Sequence, residues 1–136
     1  MRHFFCLVIS LLASPAFAQT FPLNAIPVTA TATGTTGATT ATLPASPLLT
    51  TYICGFAIDA NATAAVTGMA TITGTITGTM NFNQFVAPLA SSIGSVNRSF
   101  NPCIPASSIN VAIAVNSIAP GSGGTVSVTA WGFQRQ

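Results

Sequence analysis

Between Val66 and Phe82 the sequence alternates with a period of two, and that alternation limits the fold more than any other feature. Val66, Gly68, Ala70, Ile72, Gly74, Ile76, Gly78, Met80 and Phe82 hold the even positions. Thr67, Thr71, Thr73, Thr75, Thr77 and Thr79 hold odd ones, and Met69 is the apolar exception. Such a pattern sends one set of side chains to each face of a β-strand and fits no helix. A straight strand of this length would run about 55 Å at ~3.3 Å per residue. A compact domain of this size has a radius of gyration of only about 13–14 Å. The segment therefore has to fold back. A three-residue loop at Thr73-Gly74-Thr75 sets Ile72 opposite Ile76 and keeps the apolar residues on one face, so the hairpin is expected there.

The other segments repeat this style. Leu49 to Ile58 reads as a strand ending at a turn, Asp59-Ala60-Asn61. Ile93 to Phe100 reads as another, followed by a rigid loop through Pro102 and Pro105. Ile109, Val111, Ile113 and Val115 alternate in a fourth region. After a loop at Ala119–Gly124, Val126 and Val128 alternate with Thr125, Ser127 and Thr129 as far as Trp131 and Phe133. Residues 19–49 differ, being rich in Thr, Ala and Pro. A flexible linker and a weak edge strand through Thr29, Thr31, Thr33 and Thr35 are both compatible with that composition.

The chain opens with a short basic start, an apolar run from Phe4 to Leu12 and an Ala16-Phe17-Ala18 cleavage pattern. Residues 1–18 are accordingly read as a secretion signal, since the run falls short of the ~20 residues that span a bilayer. Loss of Cys6 with the signal leaves Cys54 and Cys103, and an even pair in an exported protein predicts one disulfide.

Charge then narrows the function. Beyond the signal only Asp59, Arg98 and Arg135 are charged, and the chain contains neither lysine nor glutamate. Its single histidine, His3, lies in the signal. Two arginines neutralise too few phosphates for nucleic-acid binding. General acid–base and nucleophilic catalysis need a base and a partner, so no enzyme activity, metal or cofactor is expected. Ser122 in Pro-Gly-Ser-Gly-Gly resembles the serine loop of trypsin-like proteases but has no base to activate it. Asp59 and Asn61 are spaced like the start of a calcium loop, yet a second side-chain carboxylate is missing.

Two surfaces remain. The Thr-x-Thr pairs at Thr71, Thr73, Thr75 and Thr77 resemble the faces of secreted β-rich ice-binding proteins, over about ten residues and without a fixed repeat. Trp131, with Tyr52, Phe133 and Arg98, makes a candidate platform for a sugar ring, because Trp131 shares the phase of Thr129 rather than of Val128.

The expected fold class is all-β: a small antiparallel β-sandwich or jelly-roll-like domain over 50–136 with one disulfide. The expected role is a secreted or cell-surface structural or adhesive protein acting through self-association or contact with another surface component. No transmembrane helix is expected after the signal. A monomeric carbohydrate-binding module centred on Trp131 is the alternative.

Overall fold

A computed structural model describes residues 21–88 and 94–136. The signal expected at 1–18 lies outside them. The described residues form eight strands and no helix. These are β1 (Ile26–Thr36), β2 (Thr40–Leu43), β3 (Thr50–Ala62), β4 (Val66–Thr75), β5 (Gly78–Pro88), β6 (Gly94–Pro105), β7 (Ile113–Asn116) and β8 (Gly121–Arg135).

The pairing is nested. First pairs with last, β1 with β8, then β2 with β7, β3 with β6 and β4 with β5, all antiparallel. Two further antiparallel ladders, β3–β8 and β4–β7, join these pairs into sheets. Sheet A runs β1-β8-β3-β6 and sheet B runs β2-β7-β4-β5. A short parallel bridge from Asn61 and Ala62 to Ala87 and Pro88 links the two at one side.

Alternation explains why the sheets face each other. Phe56, Ile58, Ala60, Val126, Val128 and Ala130 point inward from sheet A. Leu43, Ala70, Ile72, Val86, Ile113 and Val115 meet them from sheet B in one buried cluster. Phe56 anchors it, with Phe82 edge-on at 5.1 Å and Phe100 at 6.3 Å. Gln84 is half-paired in this interior: its Oε1 accepts from Ile118 N–H at 3.0 Å, while its Nε2 has no partner among the described residues. Gln134 Nε2 donates to Pro44 O at 2.7 Å and to Thr51 Oγ1 at 3.1 Å, and Thr51 Oγ1 donates to Pro44 O at 2.9 Å.

Cys54 and Cys103 are joined, tying β3 to β6 across 49 residues of chain. In the chain-entropy model a closed loop of this size contributes about 4 kcal/mol. The bond sits where both ladders of β3 slip, between Ile53 and Gly55. The prolines expected to form a loop instead lie within β6, with Ile104 opposite Ile53 and Pro105 opposite Tyr52.

Several boundaries differ from expectation, each for a local reason. The segment from Ile26 to Thr36, compatible with linker or strand, is an edge strand along the full length of β8. The hairpin does not turn at Thr73-Gly74-Thr75. Thr75 pairs with Gly78, so the turn is Ile76-Thr77, and Ile72 faces Met80 instead of Ile76. Gly74 makes both possible: at φ +87° it absorbs the one-residue slip between the two registers. Asp59-Ala60-Asn61 is not a turn, because β3 stays paired with β8 through Asn61. Likewise, β7 starts only at Ile113, since Asn110 adopts φ 60° and donates its N–H to Leu49 O, which holds the preceding residues in a turn.

Candidate functional site

The outer face of sheet A is the surface with most chemistry on it. Four strands present their outward residues in register. Thr29, Trp131, Gly55 and Ser99 form one row, and Thr31, Thr129, Ala57 and Asn97 the next. Then come Thr33, Ser127, Asp59 and Ser95, and finally Thr35, Thr125 and Asn61. Small hydroxyl side chains dominate because these positions are the solvent phase of strands whose other phase is Val, Ile, Phe and Ala.

One end of this face is aromatic. Tyr52 stacks on Phe133 at 4.6 Å and 12°, and Phe21 meets Phe133 edge-on at 5.8 Å. The guanidinium of Arg135 stands 5.3 Å from the centre of the Tyr52 ring. Trp131, one alternation back along β8, is half-buried and rests on Gly55, where a Cβ would overlap its six-membered ring. Trp131 and Phe133 thus share one phase of β8, and Tyr52 stacks on Phe133, its register partner.

Arg98 does not join them. In register it opposes Phe56, whose side chain fills the core, so Arg98 belongs to the phase opposite Trp131. Being on an edge strand it reaches solvent, where its Nη1 donates to Asn97 O at 2.8 Å. The cation at the aromatic end is Arg135, one phase-matched step beyond Phe133. Alternation along β8 was the signal that could have found it.

The other end of the face is concave, with polar side chains set among the apolar surface of Gly34, Ala60 and Val126. A depression of about 550 Å³ is lined by Thr33, Thr35, Asp59, Asn61, Thr125 and Ser127. Thr125 donates to Asn61 Oδ1 twice, from its backbone N–H at 3.2 Å and from Oγ1 at 2.7 Å. Those bonds fix the amide's orientation, and its Nδ2 donates to none of the described residues. The depression contains the only carboxylate side chain of the chain, Asp59, which is exposed.

The threonine ladder of sheet B is not a flat row. Thr71 and Thr73 lie on the outer face, but the slip at Gly74 turns Thr75 inward, where it is 2% exposed. There Thr75 Oγ1 donates to Gly78 O at 2.7 Å and lies 2.9 Å from Thr77 Oγ1, which stands in the turn. Thr71 belongs instead to a cross-strand polar row, with Thr40 Oγ1 donating to Asn116 Oδ1 at 2.6 Å and Asn116 Nδ2 to Thr71 Oγ1 at 3.2 Å. With Thr75 buried and Thr77 in the turn, the four threonines do not present a single exposed row. Ser122 lies at the start of β8, and its carbonyl accepts a bond from Thr63 Oγ1 at 2.9 Å.

Among the described residues, no three His, Cys, Asp or Glu side chains are grouped to hold a metal, and no helix is long and apolar enough to cross a membrane. Compared with known proteins, the chain matches no family model, no curated protein and no solved structure.

Proposed function

We propose that this chain is an exported, non-enzymatic structural or adhesive surface protein that self-associates by strand addition at β1. The observation that carries the reading is the state of that edge. Among the described residues β1 closes one side of sheet A and is paired only through β8, and it runs for 11 residues without a charged side chain. Every second residue of such a strand turns its N–H and C=O away from its partner, and with its one proline, Pro27, at the second position, the rest of this edge is a template for another strand.

The other edges are better protected. β6 carries Arg98, Pro102 and Pro105 and is broken by the slip beside the disulfide. β2 offers only 4 residues, and β5 is bridged to β3 at its end. Low charge removes the electrostatic opposition that keeps most domains apart. The disulfide fits an oxidising, extracytoplasmic setting. We read the nested pairing as a jelly roll of eight strands in two Greek keys, an architecture that also serves capsid and lectin domains.

Light scattering of the oxidised, exported protein over a wide concentration range tests the reading. Discrete oligomers or growing polymers are expected, with the monomer restored by Thr29→Lys/Thr31→Lys. A monomer at every concentration overturns it.

A further inference from the structure

We propose that the depression at Asp59 and Asn61 binds a neutral oligosaccharide, laid along the outer face of sheet A towards Trp131. This goes beyond self-association: the site occupies a sheet face, whereas strand addition uses a sheet edge.

The polar complement favours that class of ligand. A ligand rich in hydroxyl groups needs donors and acceptors side by side, since each hydroxyl both gives and takes a hydrogen bond. Asp59 accepts only. Asn61 presents Nδ2 as a donor because Thr125 has already engaged its Oδ1 with two bonds. Thr33, Thr35 and Ser127 supply hydroxyls that do either. No lysine exists in the chain and both arginines outside the signal lie away from the depression, so a phosphate or uronate would meet Asp59 without a compensating cation.

Trp131 supplies the second half of the site. It lies on the same face as Asp59, and its register partner Gly55 stands four residues before Asp59 on β3. That places the two about 13 Å apart along the strand direction at ~3.3 Å per residue. The spacing matches a short oligosaccharide better than a single ring. Among the described residues the row between them is Thr31, Thr129, Ala57 and Asn97, short side chains over which a chain of rings can lie flat. The indole is half-buried against Gly55, which fixes its plane while leaving part of it to meet the C–H face of a sugar.

Titration with cello-, manno- and chito-oligosaccharides from mono- to hexasaccharide, followed by Trp131 fluorescence and calorimetry, tests the site. Affinity for at least one neutral series should rise with length until both ends of the site are spanned. Oligogalacturonate should bind worse than its neutral counterparts. Asp59→Ala and Trp131→Ala should each weaken the best ligand about tenfold or more. Asn61→Asp, which replaces the donor amide with a second acceptor, should do the same while retaining the bonds from Thr125. The light-scattering mass should be unchanged in Asp59→Ala, separating this site from the β1 edge. Wild-type protein that binds none of the three neutral series, or binds them equally well after Asp59→Ala and Asn61→Asp, overturns the proposal.

Discussion

Gly55 lies beneath the indole of Trp131, its register partner on β8. A Cβ at this position would overlap the ring on one side and come within 2.6 Å of Arg98 O on the other. The backbone contact cannot move aside easily. Gly55→Ala should therefore destabilise the fold by about 1–3 kcal/mol, as overpacking does. It should also shift the fluorescence of Trp131, measured in the same denaturant titration. An unchanged midpoint and spectrum would show that the indole does not rest there.

The disulfide lies where β3 loses its regular ladder to both neighbours. It closes a loop of 49 residues, so Cys54→Ser/Cys103→Ser should lose about 4 kcal/mol in chemical denaturation. The loss should be matched by reducing the wild-type protein. Equal stability of oxidised and reduced protein would contradict the assignment of the bond as structural.

Thr73 and Thr75 look equivalent in sequence and are not in the structure. Thr75 is buried and its hydroxyl donates to Gly78 O, whereas Thr73 faces outward. Thr75→Val should cost about 1–2 kcal/mol, because it removes the part-buried bond from the Thr75 hydroxyl to Gly78 O. Thr73→Val should stay within about 0.5 kcal/mol of wild type. Thermal denaturation of the two variants side by side decides the point, and equal effects would restore the flat ladder.

The legibility of this fold varied with how much one residue depends on distant ones. Alternation sorted Val126, Val128 and Ala130 from Thr125, Ser127 and Thr129 without help, because burial of one phase is a local pattern. Cys54 and Cys103 needed only a count. The Gly74 slip was hidden, since a glycine in an alternating run reads equally as a loop centre or as a bulge. β1 was legible only as one of two readings, because Ala and Gly dilute the strand preference of its threonines, and its ladder to β8 decides for strand. Asp59 and Asn61 have turn chemistry, yet pairing across β8 and the two bonds from Thr125 hold them in strand. That override is also why the polar depression could not be read from the sequence. Its residues come from three strands and meet only through register.

The core carries a simpler expectation. Phe56 is fully buried between both sheets, with Phe82 and Phe100 against it. Phe56→Ala should cost about 3–5 kcal/mol, measured by denaturant midpoint at constant slope. A cost below about 1 kcal/mol would mean that the sheets do not pack on this ring.

Hydrogen exchange along β1 tests the central claim most directly. Amides of β1 that face β8 should be protected at every protein concentration. Those facing away should exchange freely in dilute solution and become protected as concentration rises, with β6 unchanged and the effect absent in Thr29→Lys/Thr31→Lys. Exchange along β1 that is independent of concentration while the protein associates would place the contact elsewhere and contradict strand addition at this edge.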